Sequence, residues 1–440
     1  MSSLQKTSKG LLLLISSVFA FNASALEIFY DAQMDAYVKD MSSTLVKNSG
    51  VKGVKIFLIK SDELNAFATE NKEIALYSGL VDKAKNVQQV QGVLAHELGH
   101  LIAQHHIKTR IKNENTGLAG IAGTVLGIGA VIAGAPDAGM AAILGGTSTD
   151  ISKQLAYSRE HENEADSIAI KLLKKSDISV KGLADFFKVL ERQERMYFKA
   201  RPEFLNTHPS TSRRKSFIQN NLYAIQEQAA DDVEFNTFKD KLYAFTNTPE
   251  KVKNKYIIKD DSIGKFLALS IASMHEGDFT KSFESLNVSK KLGLDDKWYF
   301  DMVGQIHYQA GNFEESVSAY VNSNARGNNS WILDFQIAES YFALKSDKAL
   351  DYYFKSYAKY DSFNYTLKRI SDFYAQDKQL TKAHFYLAQY DLKIGKDNDA
   401  KDHLRLAQEF YKKEMLDDKN LVDQIKEVLD YLKKKDNKDK

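Results

Sequence analysis

Two of the ten histidines in this 440-residue chain bracket a glutamate in the string His96-Glu97-Leu98-Gly99-His100. The surrounding apolar pattern from Val87 onward is helical, and residues i and i+4 share one helix face. Both imidazoles can therefore point at one metal ion while Glu97 projects toward a water beside it, the arrangement that hydrolyses peptide bonds. A catalytic zinc needs a third protein ligand and an open position. The chain has no cysteine, so histidines and carboxylates are the available donors. The next acidic cluster is Ser158-Arg159-Glu160-His161-Glu162-Asn163-Glu164-Ala165-Asp166. A helix starting near Ser158 puts Glu162 and Asp166 four residues apart on one face. Glu162 can reach the metal, and Asp166 can accept a hydrogen bond from a ligand imidazole and fix its tautomer. Physics alone does not separate Glu160, Glu162 and Glu164 as ligands, and an acidic first turn also suits a helix N-terminus. His105 lies nine residues beyond His96, near the opposite helix face. It is read as a non-ligand, together with His106 and His161.

The run Val93-Leu94-Ala95-His96-Glu97-Leu98-Gly99-His100, followed by Ser158-Arg159-x-x-Glu162-x-Glu164-Ala165-Asp166, resembles the BepA/HtpX family of zinc metallopeptidases, relatives of the CAAX prenyl proteases. The resemblance implies a metal set of His96, His100 and Glu162 holding one Zn2+ per chain, with Glu97 and Asp166 as catalytic residues. It extends to Thr207-His208-Pro209 and the arginines after it. By that likeness His208 is a regulatory fourth ligand that holds the enzyme latent; a cap before a helix is its other reading. Arg214 is the better-spaced arginine beside the reaction, with Arg213 the alternative. Asn65-Ala66-Phe67-Ala68 resembles the family's edge strand, which holds extended substrate by main-chain pairing. Family members usually follow it with Gly-Gly, where this chain has Glu70-Asn71-Lys72-Glu73.

The elements that must position these residues follow from pattern. Residues 27–47 read as an amphipathic helix, 54–59, 65–68 and 73–77 as strands, and 87–112 as a helix. Residues 117–146 hold nine glycines among small apolar residues and read as a helical hairpin beside the active site. Contact with a membrane surface is the second reading of that run. Helical patterns resume from about 152 to 228, and a lysine-rich connector follows.

The C-terminal third repeats. Ser282, Ser316, Ala349 and Ala383 place small residues at a period of 33–34, and Trp298, Trp331 and Tyr365 do the same for aromatics. Small residues let paired helices approach, and aromatics fill the gap to the next pair, a pattern that resembles the tetratricopeptide repeat. No proline follows Pro249, in keeping with helix.

At the other end, Lys6 and Lys9, an apolar run over 11–21 and Ala23-Ser24-Ala25 read as a cleaved export signal. The expected order is therefore a signal peptide (1–25), a zinc metallopeptidase domain (26–228), a connector (229–261), a repeat domain (262–435) and a charged tail (436–440). The fold class expected is mainly α with a small β-sheet: a zincin-type domain followed by an α-solenoid. Lys+Arg of 60 against Asp+Glu of 58 gives no field that favours nucleic acid.

The functional expectation is a periplasmic zinc endopeptidase. By resemblance to the BepA-like branch it acts on polypeptides, namely misfolded or stalled outer-membrane proteins. Its repeats would meet a substrate or the outer-membrane assembly machinery, with a chaperone role beside the protease one. The competing expectation is a repeat scaffold or chaperone with a latent zinc site.

Overall fold

The computed structural model describes residues 27–105, 107–108, 158–196, 203–208, 212–222, 232–415 and 417–436. The expectations for the export signal, His106, Pro209, the glycine-rich run and most of the tail lie outside these residues. Contacts divide the chain into two compact units, with a boundary at Met302/Val303.

The first unit holds a four-stranded sheet in the order β1-β2-β4-β3: β1 Glu27–Phe29, β2 Lys55–Lys60, β3 Ala66–Ala68 and β4 Glu73–Tyr77. β1 runs antiparallel to β2, β2 parallel to β4, and β3 antiparallel to β4. The start of the expected first helix is thus a strand, with Ile28 opposite Ile59. Asp31 sets the change of structure, because its side chain accepts the Met34 N–H as an N-cap. Helix α1 (Ala32–Ser49) begins there and ends at Gly50, whose φ of 72° is left-handed.

Asn86 caps α3 (Val87–Ile102), which follows the short α2 (Ser78–Lys83), and Ser158 caps α4 (Arg159–Lys175). Three glycines let the helices cross closely. A Cβ on Gly92 would sit 2.6 Å from the Leu183 nitrogen, one on Gly99 2.7 Å from the Ala165 carbonyl oxygen, and one on Gly182 2.1 Å from the Gln88 oxygen. Gly99 lies between the two motif histidines, so α4 can approach α3 at the level of the chemistry. The expected helix over 87–112 stops sooner, because Gln104 takes a left-handed φ of 54° and turns the chain back.

Helices α5 (Lys181–Met196), α6 (Glu203–Thr207) and α7 (Ser212–Asn220) close the other side. The stretch read as a connector contains α8 (Val233–Thr246) and α9 (Pro249–Tyr256). Phe235, Phe238 and Leu242 of α8 lie in the same buried cluster as Leu94, Leu98, Phe186 and Phe204. Its lysines hide that apolar face in the sequence, and Lys241 is itself buried, 2.8 Å from Asp31. Helices α10 (Ile263–His275) and α11 (Phe279–Lys291) complete the unit.

The boundary falls inside α12 (Asp296–Gln309). The second unit continues with α13 (Phe313–Ala325), α14 (Trp331–Ala343), α15 (Lys348–Lys359), α16 (Tyr365–Gln376), α17 (Leu380–Lys393), α18 (Asp397–Lys413) and α19 (Lys419–Asp436). The four small residues of the repeat, Ser282, Ser316, Ala349 and Ala383, are all buried. The turns repeat as well. Gly277, Gly311, Lys345 and Lys378 all have positive φ, and so does Gly395 half a period later. Each turn closes with the paired main-chain bonds of a Schellman motif, such as Asn312 N to His307 O with Gly311 N to Tyr308 O. The molecule is therefore mainly α with one small sheet, a catalytic-type domain plus a helical repeat region. Among the described residues no helix is long and apolar enough to cross a membrane.

Candidate metal centre

His96 and His100 project from α3, Glu162 from the first turn of α4, and His208 from the residue after α6. All four side chains are buried, and each offers a ligand atom within 4.8 Å of the others. His96 Nε2 lies 3.1 Å from His100 Nε2 and 3.3 Å from His208 Nδ1. Glu162 Oε1 lies 3.3 Å from His100 Nε2 and 3.0 Å from His208 Nδ1. Ligand atoms around a tetrahedral zinc, with bonds of about 2.0–2.1 Å, are separated by about 3.3 Å. The spacing fits such an ion.

The outer partners fix the tautomers. His96 Nδ1 lies 3.0 Å from Asp166 Oδ1, which turns its Nε2 inward. Asp166 is gripped in turn by Arg214, through Nε at 2.6 Å and Nη2 at 2.9 Å. Arg214 Nη1 also lies 2.5 Å from Glu162 Oε2, and its guanidinium packs over Phe187. On the other side, His100 Nδ1 lies 3.0 Å from His105 Nδ1.

The electrostatics favour a cation. Burial works to raise the Glu162 carboxyl, but His208 and Arg214 outweigh it and hold the group well below its usual range. Burial also works to raise Asp166, and Arg214 and His96 pull it down. His96 shows the converse: burial opposes its charge, yet Asp166 and Glu162 lift it to about 9. Burial dominates at His100 and pushes it well down.

Glu97 stands apart from these pairs. It is fully buried, with His208 Nε2 3.5 Å from its Oε1. Burial pushes its pKa up, opposed by His208, His96 and the Ala68 backbone amide. A raised, buried carboxyl beside a candidate metal group suits a general base. Ala68 belongs to β3, the edge strand of the sheet, so the expected substrate strand runs beside Glu97. The Phe204 amide donates to Leu64 O at 3.0 Å, and Thr207 Oγ1 lies 3.4 Å from Asn65 Oδ1. The segment carrying His208 is thereby tied to the start of that edge, and Phe204 stacks on the His208 ring at 4.5 Å.

The sequence alternatives now have places. Glu164 is half exposed and Glu160 is exposed, both away from the four-residue group. Arg213 is exposed on α7 whereas Arg214 is buried at the centre. His208 is fully buried in the group.

Residues 32–222 match the model of Peptidase family M48. These residues form an M48 domain. The chain is similar to the beta-barrel assembly-enhancing protease of Escherichia coli K12, at 23% identity over 325 residues, covering 71% of this chain and 65% of that protein. It is 30% identical over 187 residues to the putative beta-barrel assembly-enhancing protease of Vibrio cholerae serotype O1, covering 41% of this chain and 38% of the other. It is also 30% identical over 177 residues to metalloprotease LoiP of Escherichia coli K12, covering 39% of this chain and 62% of that one. The chain thus spans about two thirds or less of the curated relatives it matches. The M48 span includes His96, Glu97, His100, Glu162, Asp166, His208 and Arg214, and stops short of the repeats. M48 peptidases are metal-dependent, in keeping with the buried His/Glu group.

Helical projection places His105 far from His96, His100 and Glu162, but the left-handed Gln104 returns it to His100. The signal in the sequence was local: a helix pattern interrupted by polar Gln104 before a histidine pair. It sets no direction for the turn by itself.

Proposed function

We propose that this chain is a zinc-dependent endopeptidase of the periplasm that cleaves polypeptides at the His96, His100, Glu162 centre. The observation that carries the reading is the buried convergence of those ligands beside the equally buried carboxylate of Glu97. Zinc held there would supply Lewis-acid polarisation of the scissile carbonyl and of a water. Glu97 takes the proton from that water and delivers it to the leaving amine. The β3 edge, Asn65 to Ala68, aligns the substrate main chain beside Glu97. Asp166 holds His96 in its ligating tautomer, and Arg214 holds Asp166 and Glu162 in place.

His208 is the regulatory element of the proposal. Its Nδ1 stands within the ligand group, in the position a catalytic site must keep open. Withdrawal of His208 and of the segment tied to Leu64 would free both the metal and the strand edge. The similarity to beta-barrel assembly-enhancing proteases supports work on outer-membrane β-barrel proteins. In this reading residues 1–25 direct export, 26–228 cleave, 229–261 link the two parts while packing α8 into the catalytic core, and the tetratricopeptide-like array over 262–435 receives a substrate or the assembly machinery. The occupied ligand position also favours the second reading, a repeat-based chaperone with a latent zinc site.

Glu97→Gln should retain metal and lose peptidase activity by about 10²–10⁴-fold, the span of general acid–base catalysis. Unchanged cleavage of an unfolded protein substrate by that variant sinks the enzyme reading. His208→Ala should raise the basal rate on the same substrate; an unchanged or lower rate removes the latch. Complementation by Glu97→Gln would favour the chaperone.

A further inference from the structure

Outside the ligand group lies a second set of polar side chains. His105 is fully buried behind His100, and its Nε2 lies 3.0 Å from Glu164 Oε2. Its ring stacks on His161 at 4.3 Å and 15°, and Lys108 Nζ lies 3.9 Å from the same Glu164 oxygen. An ionised carboxylate only accepts hydrogen bonds, so His105 Nε2 is the donor to Glu164. In a neutral imidazole the other nitrogen then accepts. His105 Nδ1 accordingly accepts from His100 Nδ1–H at 3.0 Å. That leaves His100 Nε2 as a lone pair, aimed at His96 Nε2 and Glu162. The chain of inference runs from a surface carboxylate to the ligand atom without a free choice of tautomer.

The backbone gives a second reason. A non-glycine residue in the left-handed region is strained, and Gln104 adopts it immediately before His105. The turn carries His105 back under α3 rather than onward along it.

We infer that Glu164 and His105 are positioning residues that fix His100 in its ligating tautomer and strengthen its hold on the metal. Neither touches the ion. The inference rests on the zinc reading of the four-residue group. Partners of ligand imidazoles carry about 10–100-fold in metal affinity.

The experiment measures zinc affinity of the full chain by competition with a chromophoric chelator, and the thermal midpoint of the same metal-free proteins. Variants are His105→Leu, His105→Asn and Glu164→Ala. His105→Leu should lose about 10–100-fold in affinity. His105→Asn should recover most of it, because its side-chain oxygen can accept from His100 Nδ1. Glu164→Ala should weaken zinc by a smaller factor and leave the metal-free midpoint unchanged, since Glu164 is half exposed. Equal recovery failure in His105→Asn and His105→Leu would assign the residue to packing and overturn the relay. Wild-type affinity in Glu164→Ala also overturns it, and that surface variant decides the matter even where His105→Leu fails to fold. A wild-type chain that binds no zinc overturns the peptidase reading and this one together. Zinc binding that all three variants leave intact overturns this one alone.

Discussion

Glu162 and Glu339 are both carboxylates with almost no solvent exposure, yet their surroundings differ. Glu339, on α14 of the repeat region, is closed by donors. Arg369 reaches it through Nε at 2.7 Å and Nη2 at 2.9 Å, and the Tyr353 hydroxyl donates at 2.5 Å. Donors and acceptors balance there, and the charges cancel. Around Glu162 the balance is open. Arg214 covers one oxygen, but two imidazole nitrogens approach the other, and Glu97 adds a second buried carboxylate nearby. A buried polar cluster that its own donors satisfy is structural. One with surplus acceptors asks for a cation.

That contrast makes opposite predictions for the same substitution. Glu162→Gln should lose the metal and the peptidase activity with it. Glu339→Gln should keep both, but remove one of the two carboxylates of the part-buried Arg369, with Asp372 remaining at 2.9 Å, and cost about 1.5–3 kcal/mol as a lost charged hydrogen bond. Metal content and urea unfolding, measured on both proteins, read the two effects. Metal loss in Glu339→Gln, or retention in Glu162→Gln, would erase the distinction.

A smaller effect comes from two glycines at close crossings. A Cβ on Gly99 would press on the Ala165 carbonyl, and one on Gly304 would meet the Tyr320 ring at 2.5 Å. Either Ala substitution should cost about 1–3 kcal/mol of stability by overpacking. Only Gly99→Ala should also weaken zinc, because it pushes α4 and Glu162 away from α3. Equal zinc affinity in the two variants would remove Gly99 from the positioning of the site.

The smallest effect concerns two left-handed turns, Gln104 in the M48 domain and Lys345 in the repeats. Glycine relieves the Cβ strain but loosens the unfolded chain. Gln104→Gly and Lys345→Gly should therefore each change stability by no more than about 1 kcal/mol, with zinc affinity unchanged in both. A large loss of zinc in Gln104→Gly would mean that the Gln104 side chain, rather than the turn, supports His105.

Much of the centre was legible because its spacing is intrahelical. His96 and His100 repeat at one turn of α3, and Glu162 and Asp166 at one turn of α4. The strands 66–68 and 73–77 stood out because an apolar alternation brackets the turn at Lys72. The 33–34-residue period reappears as a ladder of identical turns at Gly277, Gly311, Lys345 and Lys378. What the sequence hid depends on chain reversal and tertiary pairing. The strand at Ile28 exists through its partner Ile59, and projection along a continuous helix sends His105 the wrong way. Lys241 looks like a solvated charge until Asp31 is beside it. The choice among Glu160, Glu162 and Glu164 turns on which face of α4 meets α3, and the approach at Gly99 sets that face.

The most direct measurement is the zinc content of the purified full-length protein, determined by elemental analysis on the wild type and on Glu162→Gln. The account predicts one zinc per wild-type chain and its loss in the variant. A wild-type chain that lacks stoichiometric zinc although zinc is supplied, or a variant that keeps it, would contradict the assignment.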